Sequence, residues 1–240
     1  MPEVFGWQHI TYLVVSIVIT IATLVLGKIY CKTEKQQTIF IKVIAGLILA
    51  TVLGCRFAVA SKSGWKFFLP NTICGTTSFA LSLCVIFGKP NMKIYHGLWF
   101  LAIVGGISTI IYPDFIGQAQ SIFYPATIFG FLHHSLCILI CCAMLMFGWF
   151  KFDYKKTLYF PLVFCGYMIW GLFDIQIIGV DAAMCITKPI LSGTPINCWF
   201  ILGVGTALIF VFTFAYNFIE SKLKAKKVEQ QTADTKEQYS

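Results

Sequence analysis

Seven runs of predominantly apolar residues divide this chain, at about 9–30, 38–60, 67–88, 94–112, 122–149, 157–179 and 197–219. Each approaches or exceeds the roughly 20 residues that a helix needs to cross the hydrocarbon core of a bilayer. A membrane span must satisfy its backbone internally, so runs of this length read as helices. The fold class expected is therefore all-α, a polytopic membrane bundle of about seven transmembrane helices. Composition agrees: 58% of the 240 residues are hydrophobic and 12% are charged, too few to give a globular domain a water-facing surface.

Lysines set the expected orientation, because short cytoplasmic loops are enriched in them. Lys28, Lys32, Lys35, Lys89, Lys93, Lys151, Lys155 and Lys156 fall in alternate connections, on the same side as the tail cluster Lys222, Lys224, Lys226 and Lys227. The opposite side has Lys62, Lys66 and Lys188. This places the N-terminus outside, the C-terminus in the cytoplasm and the protein in the cell membrane. The net charge of +8 is mostly this topological signal, so no nucleic-acid partner is expected. The first run lacks a basic n-region and a cleavage site, and reads as a retained helix. Residues 1–221 form one helical membrane domain, and the polar stretch 222–240 is expected to be disordered.

Ionisable groups inside a span are costly and face a protein interior or a water-filled cavity. His133 and His134 lie in the middle of the fifth run. At 100° per residue, His134 falls within about 60° of Thr127, Gly130, Cys137 and Cys141, on the small and polar face, whereas His133 points toward Phe129, Leu136 and Ile140. His134 is the candidate site residue, and His133 is an interhelical hydrogen-bonding residue or a support for its neighbour. In the third run, Pro70 is expected in the first helical turn, and Asn71, Cys74, Ser78 and Ser82 then form a polar stripe. Cys74 lies about 10 Å below Phe67 and His134 about 13 Å below Pro125, so a thiol and an imidazole are expected at similar depth. Arg56 and Asp174 belong to the same half of the membrane. Arg56 or Asn71 suits a lipid phosphate or an oxyanion and Asp174 suits the imidazole, but an Arg56–Asp174 ion pair accounts for both charges equally well.

Other polar residues have plainer readings. Trp65 and Trp99 fit interfacial belts, and so do His9 and His96 near the membrane boundaries. Asp114 reads as a turn or cap residue after Pro113. Most of the ten cysteines are small packing residues, although Cys185 and Cys198 share one outer loop where a disulfide is sterically conceivable. His134, Cys137 and Cys141 share a helix face, but one helix rarely completes a metal site. There is no glycine-rich phosphate loop, Walker pattern or G-x-S-x-G elbow, and no metal or other cofactor is expected.

The order Arg56, Leu69-Pro70-Asn71-Thr72-Ile73-Cys74, the stretch Gly97 to Phe115 with Tyr112-Pro113-Asp114, and His133-His134-Ser135 resembles the YwaF-like bacterial integral membrane proteins. These are similar in turn to eukaryotic transmembrane protein 164, a polytopic acyltransferase. The resemblance runs from about residue 56 to 140, and more weakly from Asp174 to Trp199. It implies transfer of a fatty acyl chain between membrane lipids through a cysteine thioester. Cys74 then stands at the family cysteine and His134 at the family histidine. The bacterial segment commonly carries histidine where this chain has Thr72, and related lipid hydrolases pair threonine with histidine, so Thr72 or Thr76 is an alternative nucleophile. Two readings compete with a lipid enzyme: a carrier or small-molecule binding protein using Arg56, Asp174 and His134, and an assembly factor whose polar stripes only pack helices. Membrane lipids are the expected substrates, and the sequence names no protein partner.

Overall fold

A computed structural model describes residues 5–113, 123–190 and 193–238, with side chains described to Ala225 in the last segment. Ile122, Asp114 and Phe115 lie outside the described residues. The elements are helical, and no strand occurs among the described residues. In chain order they are α1 (Trp7–Tyr30), α2 (Glu34–Ser63), α3 (Ile73–Phe87), α4 (Tyr95–Ile111), α5 (Pro125–Met146) and α6 (Tyr159–Phe173), the last extended by a π-helical turn, Asp174–Ile178. The seventh helix, α7, starts at Cys198–Phe200, passes through a π-helical turn, Ile201–Gly205, and continues as Thr206–Gln238.

Five of the seven, namely α1, α2, α5, α6 and α7, are long and apolar enough to cross a membrane. α3 and α4 have 15 and 17 residues, or about 22 and 25 Å at 1.5 Å per residue, short of the ~30 Å hydrocarbon core. They compensate by being enclosed. α5 is central: it packs along α2 on one side and α4 on the other, and touches α1 and α3. Ile41, Ala45, Ile48, Leu81, Val85, Leu98, Ile140, Cys141 and Met144 are almost wholly buried between these helices. α1 and α7 instead expose rows of Val, Ile, Leu and Phe, as lipid-facing helices do.

Local signals explain the ends. Thr33 caps α2 with a full capping box, its side chain accepting from Gln36 N while Gln36 reciprocates. α3 starts six residues later than the sequence suggests. Trp65–Phe67 is a separate 3₁₀ turn, and Pro70 precedes the helix instead of occupying its first turn. A proline disfavours helical geometry in the residue before it, and Thr72 supplies the cap, its side chain accepting from Gly75 N at 3.2 Å. Asn71 therefore lies outside the helix, and the polar stripe begins at Cys74. At the other end of the chain, α7 is helical to Gln238, past Lys222 where disorder is expected. Lys, Glu, Gln and Ala are good helix formers, so propensity extends the helix into the polar tail.

Three residues assigned to the interface are core residues. Trp99 is buried, donates from Nε1 to Cys141 O at 3.0 Å and stacks on Phe150 at 5.2 Å. His9 bonds Ile110 O at 2.8 Å and accepts from Phe5 N at 3.0 Å. His96 is buried against Phe150. Only Trp65, 65% exposed, keeps the environment of a belt residue.

Candidate functional site

The five residues between the 3₁₀ turn and α3, Phe68–Thr72, make no helix, so carbonyls along this lead-in need partners from elsewhere. Arg56, buried on α2, donates to Phe67 O from Nε at 3.2 Å and also from Nη2. Trp170 of α6 donates from Nε1 to Pro70 O at 2.9 Å. Met184 N, in the α6–α7 connection, donates to Asn71 O at 3.0 Å. Thr76 Oγ1 also donates to Pro70 O at 3.2 Å. Three parts of the chain thus hold the segment that presents Cys74 in the first turn of α3.

Cys74 faces α4. A methyl group added at Gly105 would lie 3.1 Å from Cys74 Sγ, so the thiol occupies the space that the missing side chain leaves. Thr109, one turn along α4, is buried. The neighbouring Gly106 lets α5 approach in the same way, since its Cβ would stand 3.0 Å from His134 O and 2.9 Å from Ile138 Cγ1. The Cys74 thiol and the His134 backbone carbonyl therefore meet adjacent residues of one helix. Gly105 is six residues from the α4 end at Ile111, about 9 Å along the helix.

The two histidines divide their contacts, and His133 makes an interhelical hydrogen bond, one of the two roles expected of it. His133, not His134, reaches α3: its Nδ1 shares a hydrogen bond with Ser78 Oγ at 3.1 Å. Ser78 also lies 3.3 Å from Cys137 Sγ and bonds Cys74 O at 3.0 Å. The His134 ring packs on His133, with centroids 4.1 Å apart at 35°, and no hydrogen bond reaches it among the described residues. Both histidines are buried. Periodicity cannot rank them because α5 is enclosed on several sides, so the face away from the small residues is also a protein interface.

The Arg56–Asp174 ion pair expected as an alternative does not form. Arg56 is spent on Phe67 O, and no N···O approach within 4.0 Å joins it to Asp174, although each lies in the other's field. Asp174 begins the π-helical turn that closes α6, and both its oxygens are buried without a hydrogen bond among the described residues. It does not touch the histidines. Thr72 serves as the α3 cap. Cys185 and Cys198 are adjacent, with Cys198 N donating to Cys185 O at 3.1 Å, yet both thiols are free. Cys141 donates to Trp99 O at 3.7 Å and Cys137 faces Ser78, and no group of three His, Cys, Asp or Glu suited to a metal occurs among the described residues.

Sequence reasoning missed Gly105, Gly106 and Trp170. The glycine pair carried a signal, since small residues inside a bulky membrane helix mark close helix approach. Trp170 lies within an apolar run and away from an interfacial belt, which also marks a polar tip in need of a partner.

No curated protein and no solved structure matches the chain. The model of the TMEM164 family does, over residues 4–216, which takes in all of α1 to α6 and the membrane-length part of α7 through Tyr216. With five apolar helices of spanning length in or overlapping that match, this is a multi-pass membrane protein and belongs to the TMEM164 family.

Proposed function

We propose that this protein is a membrane-embedded acyltransferase that moves a fatty acyl group between membrane lipids through a thioester on Cys74, with His134 as base. The observation that supports this reading is that the Cys74 thiol and the His134 backbone carbonyl lie against adjacent glycines of α4, within a bundle whose described residues are helical. A buried thiol is inert until a base removes its proton, and the His134 ring is free of competing hydrogen bonds among the described residues. His133, tied to Ser78, holds its neighbour in place by ring contact.

The reaction proceeds in two halves. His134 accepts the Cys74 proton, the thiolate attacks the carbonyl carbon of a lipid ester, and the departing lysolipid alkoxide takes the proton from the imidazolium. A second lysolipid hydroxyl then gives its proton to His134 and attacks the thioester. The new ester leaves, and the returning proton restores the thiol. Burial excludes water and limits hydrolysis of the thioester. Lipid enters sideways: a groove of about 320 Å³ between α1 and α4, lined by Leu13, Ile17, Ile107 and Ile138, is apolar and ends one turn from His134. Residence in the cell membrane with the lysine-rich end in the cytoplasm completes the proposal.

The hydrolase reading is weaker, because Thr72 is engaged as the cap of α3 and Thr76 bonds Pro70 O. The test uses liposomes holding the purified protein, a labelled diacyl phospholipid and a lysophospholipid. Wild-type protein transfers label, whereas folded Cys74→Ala and His134→Ala variants do not. Full transfer by both variants sinks the mechanism.

A further inference from the structure

Acyl transfer between lipids needs a place for two of them, and the described residues lining the α1/α4 groove include no charged side chain. A second groove, of about 830 Å³, lies between the end of α2 and the start of α5. Leu53, Phe57, Phe68 and Phe129 give it an apolar wall, and Lys62, exposed at the end of α2, stands at its rim. Gly54 closes the floor: a Cβ there would lie 3.2 Å from the Phe129 ring, so α2 rests directly on it. Phe57 and Phe68 both meet Trp65, with ring centroids 5.7 and 6.0 Å away, which fixes the side of the groove that faces the α3 lead-in.

The two grooves flank α5. Phe129 in the second and Ile138 in the first are nine residues apart, or about 180° at 100° per residue, so they lie on opposite faces of that helix. Phe129 is one turn from His133, as Ile138 is from His134. The second groove opens at the end of the bundle where α2 stops, α5 begins and Phe68 leads toward Cys74. Leu53 is nine residues from Lys62, so the groove runs about 13 Å inward. The Lys62 ammonium rests over the Tyr124 ring, 5.0 Å from its centroid, and makes no hydrogen bond or ion pair among the described residues. Lys66, by contrast, is tied to Gly179 O at 3.1 Å. An uncommitted ammonium is a phosphate ligand, and the apolar wall below it matches a hydrocarbon chain.

We propose that the α2/α5 groove binds the acyl acceptor of the second half-reaction, a lysophospholipid, with its phosphate on Lys62 and its single chain along Phe57, Leu53 and Phe129. This rests on the acyl-transfer reading above. The phosphate holds the glycerol, and with it the free hydroxyl, at the end of the bundle where the lead-in presents Cys74, while the chain runs inward between α2 and α5. A single chain buries less apolar surface than two, so a lysolipid depends more on its headgroup contact. The groove with the cation therefore falls to the lysolipid, and the uncharged α1/α4 groove to the diacyl donor.

The test places wild-type protein, Lys62→Gln, Ala58→Phe and Cys74→Ala in phosphatidylcholine liposomes with a lysophosphatidylcholine that carries a diazirine in its chain, and maps the photocrosslinked peptides by mass spectrometry. A diazirine monoacylglycerol, which lacks the phosphate, is the comparison. The lysophospholipid should label peptides covering residues 53–62 and 124–129 saturably, in wild type and Cys74→Ala alike, and unlabelled lysophospholipid should block that labelling. Ala58→Phe, which fills the groove from its wall, should abolish it without lowering the melting temperature. Lys62→Gln should raise the KM for lysophospholipid about tenfold, the weight of a hydrogen bond to a charged group, while kcat and the KM for the diacyl donor stay near wild type. Equal groove labelling by the two probes, labelling that survives Ala58→Phe, or an unchanged KM in Lys62→Gln overturns the proposal. Saturable groove labelling of a wild-type protein that forms no acyl-Cys74 removes the acyl-transfer reading and the acceptor role, and leaves the binding site standing.

Discussion

Replacing Gly106 by alanine should destabilise the bundle, although alanine is the better helix former. The added Cβ would stand 3.0 Å from His134 O and 2.9 Å from Ile138 Cγ1, where ordinary contact begins at 3.4 Å. The isoleucine can rotate away, but the carbonyl belongs to the α5 backbone, so α4 and α5 must part by about 0.4 Å (3.4 − 3.0). Overpacking of this kind costs about 1–3 kcal/mol, against a propensity gain of about 1 kcal/mol, which leaves a net loss of about 0–2 kcal/mol. Gly46 of α2 is the control, since a Cβ there meets nothing within 4 Å and Gly46→Ala keeps only the gain. Reversible unfolding in mixed micelles, followed by circular dichroism, should therefore separate the two variants by the overpacking cost, with Gly106→Ala the less stable. Equal stability of the two would refute the close approach of α4 to α5, and with it the contact of the His134 backbone with α4.

Thr72→Ala should lose about 1 kcal/mol of stability, the usual value of an N-cap, and should speed alkylation of Cys74 as the first turn of α3 frays. Thr72→Ser should restore both, and unchanged alkylation in Thr72→Ala would contradict the cap. Cys185 and Cys198 should both be alkylated in protein denatured without reductant, because both thiols are free. Two unlabelled cysteines would reveal a disulfide instead. In the folded protein at neutral pH, Cys185 should react slowly, since burial, with the Cys74 and Cys198 thiols nearby, pushes its thiol up to about 11.

The bundle was legible from the sequence because a bilayer imposes a length that apolar runs must meet. Most of the helix ends came within a few residues of their predicted positions for that reason. The start of α3 and the C-terminal end of α7 were the exceptions. Pro70 suits a helix N-terminus as well as an extended lead-in, and only the bonds from Trp170, Met184 and Arg56 to distant carbonyls favour the second. Trp99, His9 and His96 misled for a related reason: distance from a run's end indicates depth, whereas burial depends on which neighbours surround the residue. The candidate site was half legible. Cys74 and the His134 backbone do meet adjacent residues of α4, but the neighbours that define this region are Gly105, Gly106 and Ser78. Together with His134 those residues lie on three helices, and no spacing within one run could assemble them.

The central claim is that Cys74 carries the acyl group. The most direct measurement is intact mass and peptide mapping of the protein after brief exposure to a labelled diacyl phospholipid in liposomes. The account predicts one acyl mass on the Cys74 peptide, released by neutral hydroxylamine, passed on when lysophospholipid is added, and missing from Cys74→Ala. Acyl transfer that continues while the Cys74 peptide stays unmodified and Cys74→Ala remains active would contradict it.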